Sequence, residues 1–285
     1  MAIRHILVPL AGTDDETHVV VGALNLARRL DAHVAVTTTM PSRATSYVVG
    51  GFPLWQAYGD EVAAAITDQR IQARAAARKS FDTAVKDVAL SIVNHPPCSV
   101  PSAWFEPTAV EDGIAAITDR VTDLVVVGRP RGAARVRQHE LVAEALFDLR
   151  RPVLMLPFKS DALAGSVAVA WNGSVESANA LAAGIALFRA GVEVTVICVG
   201  DQKGFAMPVE RAVEYLGWHG FPAKVKAVAD QPHATANILR QEAHTAGACL
   251  LVMGGYGHSR ARETIFGGVT ATFLERADLP VLMAH

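Results

Sequence analysis

Leu279-Pro280-Val281-Leu282-Met283 repeats Arg151-Pro152-Val153-Leu154-Met155 at a distance of 128 residues. Two further pairs follow in the same order. Cys249-Leu250-Leu251-Val252-Met253-Gly254 repeats Asp123-Leu124-Val125-Val126-Val127-Gly128 at 126, and Val167-Ala168-Val169-Ala170-Trp171-Asn172-Gly173-Ser174 repeats Ile6-Leu7-Val8-Pro9-Leu10-Ala11-Gly12-Thr13 at 161. Ordered self-similarity of this kind indicates two copies of one supersecondary design. The offsets of 161 and 126 differ by 35 residues, which places an insert of that size in the first copy, at about 40–90. The copies are read as residues 1–158 and 163–285, parted at the polar break Lys159-Ser160-Asp161.

Within the second copy, apolar runs rich in β-branched residues alternate with segments of helical period. Strands are expected at Val167–Ala170, Val192–Val199, Ala223–Val228, Cys249–Met253 and Pro280–Met283. Helices are expected at Ser177–Ala190, Val209–His219, Ala234–Ala246 and Val269–Ala277. Continuous apolar strands separated by helices predict a parallel sheet covered on both faces, a doubly wound α/β fold. In the insert, Val62, Ile66, Ala73, Ala77, Phe81, Val85 and Val88 fall mostly at steps of three or four and predict one long amphipathic helix.

Composition narrows the function. The 285 residues carry 26 Lys and Arg against 28 Asp and Glu, a net charge of −2, so no broad positive field exists to gather nucleic acid. Half of the residues are hydrophobic (51%), enough for a packed core and too many for a disordered chain. The uncharged run 88–105 contains Pro96, Pro97 and Pro101, which no spanning helix accommodates. The opening residues lack the features of an export signal. Three cysteines make no disulfide framework, and Cys198 and Cys249 lie in strand-like runs. They read as buried thiols of a cytoplasmic protein, with Cys98 in a Pro-rich loop.

Ligands of open α/β sheets sit at the carboxyl ends of the strands, near the point where strand order reverses. Three loops of the second copy reach that end: Trp171-Asn172-Gly173-Ser174, Val199-Gly200-Asp201, and Gly254-Gly255-Tyr256-Gly257-His258-Ser259. Gly267-Gly268-Val269-Thr270 then opens the last helix. Glycines admit a ligand close to the backbone, and a helix start offers N–H groups to an anion, which points to a phosphorylated guest. His258 is placed to meet phosphate as a cation, or else to stand in solvent. Ser174 and Ser259 lack a G-x-S-x-G elbow and are read as caps rather than nucleophiles. The ten histidines show no zinc spacing, so no metal site is expected, and no general base stands out, so no catalytic residue is assigned. Trp171 either walls the site or is core. Tyr47, Phe52, Trp55 and Tyr58 form the densest aromatic group, a lid, a contact surface or a small satellite core.

Gly254-x-x-Gly257, nine residues, then Gly267, with the Asn-Gly-Ser loop, Val269-Thr270 and the Pro-Val-Leu terminal strand, resembles the signature of the universal stress protein family. The resemblance covers nearly the whole chain and is weakest in the insert. It implies two tandem five-stranded doubly wound domains of the adenine nucleotide alpha hydrolase-like type, forming a pseudo-dimer through their terminal strands, with Pro152–Leu156 beside Pro280–Ala284. It also implies ATP, or ADP or AMP, with or without Mg2+, as ligand. Carried over by position, Ala170 and Asn172 contact the nucleoside, and Val199 offers backbone groups to adenine. Gly254, Gly257, Gly267, Gly268 and Val269 surround ribose and phosphates, with Gly173, Ser174, His258, Ser259 and Thr270 beside them.

Two positions depart from the family pattern: Asn172 replaces an acidic residue, and Gly268 replaces Ser or Thr. Asn172 keeps a hydrogen-bonding amide but loses the negative charge and a potential metal ligand, and Gly268 loses one hydroxyl to phosphate, which predicts binding weaker by roughly tenfold or more. In the first copy His139 and Glu140 stand at the positions of Gly267 and Gly268, so binding is expected only in the second. The arginines at 129, 131, 135 and 137 read as a solvated loop, or as groups reaching an anionic surface. The function expected is a cytoplasmic stress-response regulator that binds adenine nucleotide and is at most a slow ATPase. The alternatives are a scaffold of the same fold without nucleotide, a homo-oligomer included, and a sensor of small molecules using the insert.

Overall fold

A computed structural model describes residues 2–12, 16–39, 48–49, 52–53, 55–88, 90–93, 101–105, 121–130, 132, 135–158, 163–231, 234–256 and 268–285; between 48 and 63 it describes backbone alone. The chain divides into two compact units, Arg4–Leu149 and Arg150–His285, the latter including Met1–Ile3.

In the first unit the order is β1 (His5–Leu10), α1 (Thr17–Leu30), β2 (His33–Thr38), β3 (Val48–Val49), β4 (Phe52–Pro53), α2 (Trp55–Asp87), β5 (Ser91–Ile92), β6 (Ser102–Phe105), β7 (Leu124–Gly128) and α3 (Arg135–Ala143). The main strands are parallel in the order β7-β1-β2-β6-β5, with Ile6 opposite Leu124 and Val34 on either side. The inserted segment forms the long helix α2, as the periodicity predicts. Its described side chains bury Ala73, Ala77, Ser80, Phe81, Ala84 and Val88 and leave Ile71 exposed. Val85 is half-buried.

The second unit opens with β8 (Val153–Leu156) and continues through β9 (Ser166–Ala170), α4 (Val175–Gly184), β10 (Val194–Val199), α5 (Val209–Trp218), β11 (Ala223–Val228), α6 (Thr235–Thr245), β12 (Ala248–Gly254), α7 (Gly268–Arg276) and β13 (Val281–Ala284). The strands β11-β10-β9-β12-β13 are parallel, and β8 runs antiparallel to β13, with Val281 opposite Met155, Leu282 opposite Leu154 and Met283 opposite Val153. Thus β8, last in the first copy by sequence, belongs to the second compact unit.

The nine elements expected in the second copy are all present, with ends shifted by a few residues. The largest change is the helix expected to run to Ala190, which tightens after Gly184 into a 3₁₀ turn at Ile185–Leu187. Gly184 faces Val252 at a distance where a methyl group would meet Cγ2 at 3.0 Å, so helix and sheet approach closely there. Burial follows the apolar runs. Leu250, Leu251, Val252, Val281, Leu282 and Met283 are at most 1% exposed, as strands covered on both faces require. β11 is the exception: it is an edge strand, with Lys224, Val225 and Lys226 exposed. Among the described residues no helix is long and apolar enough to cross a membrane.

Candidate functional site

In the second unit β9 lies between β10 and β12, so the chain leaves it toward opposite sides of the sheet. Such a reversal is the place where ligands of open α/β sheets bind, at the carboxyl ends of the strands. The loops containing Asn172, Val199 and Gly254 leave those ends. Ala170 pairs in register with Ile197, and Val199 with Val228, which sets the first two loops side by side.

The loop after β9 is shaped by its own hydrogen bonds. Exposed Asn172 accepts the Ser174 N–H at 3.2 Å through Oδ1, an Asx turn, and Gly173 takes the left-handed φ of 71° that the turn needs. Ser174 caps α4, its Oγ accepting the Ser177 N–H at 3.2 Å, while the Ser177 hydroxyl donates to the Ser174 carbonyl at 2.8 Å. The capping role read for Ser174 is therefore present, and such a cap is worth about 1 kcal/mol. Trp171 is 3% exposed and donates its indole N–H to the Met207 carbonyl at 3.2 Å. It is a buried anchor for the chain after β10. A methyl group on Gly173 would lie 2.5 Å from the Met207 oxygen, so that segment closes directly onto this loop. Sequence reasoning did not find Phe205 and Met207, whose contact is made entirely through tertiary folding.

Gly254 ends β12 against the first turn of α4: a methyl group there would meet Ser177 N at 2.8 Å and Glu176 Cβ at 2.9 Å. Its bare Cα serves helix packing. Gly255 donates to the Ala284 carbonyl at 2.8 Å, and Tyr256 takes a left-handed φ of 56°. Burial raises the Tyr256 phenol to about 12. Gly257, His258, Ser259 and Gly267 lie outside the described residues. Beyond them α7 is described from Gly268, where a methyl group would touch nothing within 4 Å among the described residues. Val269 is half-buried, and Thr270 is buried with its Oγ1 accepting the Tyr256 N–H at 3.2 Å. The last helix and the loop after β12 are thereby tied together.

The corresponding end of the first unit is closed. Gly12 holds a φ of 75°, and a methyl group on it would overlap Ala73 of α2. α3 begins at Arg135, so His139 and Glu140 lie within the helix instead of at its start. Arg137 is 8% exposed and pairs with Glu140 at 3.0 Å and Glu144 at 2.7 Å. It is a buried ion-paired group, not part of a solvated loop as the sequence led us to expect, because its helix turns it into the unit. Arg135 is exposed and Arg129 half-buried; Arg131 lies outside the described residues. Tyr47 does as well, and no side chain is described for Phe52, Trp55 or Tyr58.

No family model matches the chain. A universal stress protein of Synechocystis sp. is 27% identical over 168 residues, 56% of this chain and 57% of that protein, so the chain spans a little over half of the curated relative it matches. Two solved structures share its fold along almost the full length. A universal stress protein of Archaeoglobus fulgidus has a TM-score of 0.64 at 16% identity, covering 98% of this chain and 95% of the other. A protein of Pseudomonas aeruginosa described as a putative universal stress protein has a TM-score of 0.53 at 14% identity, covering 99% and 93%. In sequence over part of its length, and in fold along almost all of it, the chain is similar to universal stress proteins.

Proposed function

We propose that the chain is a stress-response regulator that binds an adenine nucleotide, ATP or its ADP and AMP forms, in the second repeat alone. The observation that carries this reading is the tie from the Tyr256 N–H to Thr270, which brings the first turn of α7 to the end of β12, with space above Gly268 among the described residues. A helix start faces that space with N–H groups suited to phosphate. Asn172, Gly173 and Val199 would line the nucleoside side, and Gly257, His258, Ser259 and Gly267 would complete the phosphate side. The near-neutral charge of the chain fits binding by backbone amides in place of a basic surface. The thiols favour a cytoplasmic setting. No residue is given a catalytic role.

A second reading is favoured by the loop after β9, where Asn172 and Ser174 already spend side-chain oxygens on backbone donors and Met207 crowds Gly173. On that reading the protein is a scaffold without nucleotide. Calorimetry with Mg-ATP separates the two: one site per chain, abolished by Gly257→Glu or Gly267→Glu, supports the first, and absence of heat at high micromolar protein leaves the second.

A further inference from the structure

The two repeats make the same left-handed turn after their first strands, with φ of 75° at Gly12 and 71° at Gly173. In the first unit the turn holds something. The Glu16 carboxylate accepts the Ala11 N–H at 3.0 Å through Oε1 and the Gly12 N–H at 2.9 Å through Oε2, and Glu16 is only 3% exposed. Consecutive amides converging on one oxyanion form a nest, a backbone anion site.

We propose that Glu16 is the built-in ligand of this nest, so that the first repeat is permanently in an anion-occupied state and closed to any exchangeable anion. The side chain comes from the N-cap residue just before α1, and it reaches back to donors four and five positions earlier. α2 seals the position from above through Ala73, which leaves no room beside Gly12. In the second repeat the position equivalent to Glu16, 161 residues on, is Ser177. Its hydroxyl turns back to the Ser174 carbonyl at 2.8 Å, and no carboxylate stands at that place. One difference, acid against hydroxyl, thus distinguishes a self-liganded turn from one that carries no ligand of its own. Burial of an ionised carboxylate is tolerable here because both oxygens are hydrogen-bonded to backbone donors.

The inference concerns the first unit only and stands whether or not the second repeat binds nucleotide. Its test is chemical rescue by a small anion. Glu16→Ala should lower the thermal midpoint, and sodium acetate or formate should restore it more than sodium chloride of equal ionic strength, with no such difference in the wild type. Equal effects of acetate and chloride on the variant, or a variant melting with the wild type, would overturn the proposal. Should Glu16→Ala not fold, amide hydrogen exchange in the wild type and in Glu16→Gln decides. Protection at Ala11 and Gly12 that drops about tenfold in Glu16→Gln is the expected result. Exchange at those two amides as fast as in open loops of the wild type would refute it.

Discussion

Tyr256 donates its backbone N–H to Thr270 Oγ1 at 3.2 Å, and this bond joins the end of β12 to the first turn of α7. Tyr256 sits at a φ of 56°, where a residue with a side chain is strained by roughly 1–2 kcal/mol. The bond helps hold that strain. Thr270→Val keeps the shape and removes the acceptor, so it should cost about 1 kcal/mol in urea unfolding. Under the proposed function it should also weaken Mg-ATP binding measured by calorimetry.

Gly173 and Gly268 should respond oppositely to substitution. Gly173→Ala meets a positive φ and the Met207 backbone at 2.5 Å, and should lower stability by more than about 1 kcal/mol. Gly268→Ser meets no clash among the described residues and, under the proposed function, adds a hydroxyl toward the anion, so Mg-ATP affinity should rise about tenfold with no loss of stability. A drop in affinity for Gly268→Ser would count against the phosphate side of the site.

The alkaline limb of the stability profile should carry the mark of Tyr256. Burial raises its phenol from an ordinary 10.0 to about 12, so the folded state keeps the proton that the unfolded chain loses first. That contribution is present below pH 10 and is lost as the pH rises toward about 12. The guanidinium midpoint should fall over this window less steeply in Tyr256→Phe than in the wild type.

Cys198 should be inert in the native protein. It is fully buried, and desolvation, with a lesser contribution from the charge of Glu210, pushes its thiol up to about 11. Its labelling by Ellman's reagent near neutral pH should be at least about tenfold slower in the native than in the denatured chain. Cys249, half-buried with its Sγ accepting the Gly165 N–H at 2.9 Å, is the internal comparison.

Much of the fold was legible because its elements are written in local periodicity. The run at Cys249–Gly254 is apolar at every position before its glycine, and only a strand covered on both faces tolerates this. The steps from Ala73 to Val88 mark one helix face, and Ala73, Ala77, Phe81 and Val88 on it are buried, with Val85 half-buried. The site was legible only where a residue's role is local. Ser174 caps the helix it precedes, so its neighbours announce it. At Gly254 the sequence shows a glycine at a strand end, and only packing shows that its bare Cα makes room for α4. Glu16 was passed over because an acidic residue before a helix reads as an ordinary exposed charge.

The sequence by itself determined the repeat, the order of strands and helices, and the resemblance that accompanies them, since each rests on spacing along the chain. Only the tertiary structure decided what fills the two equivalent turns. Ala73 lies 61 residues from Gly12, and Met207 lies 34 from Gly173. Contacts across such distances depend on how helices and loops pack onto the sheet, and no local pattern encodes them. The same left-handed turn is therefore closed by a carboxylate and a helix in one repeat, and in the other is covered by the chain around Met207.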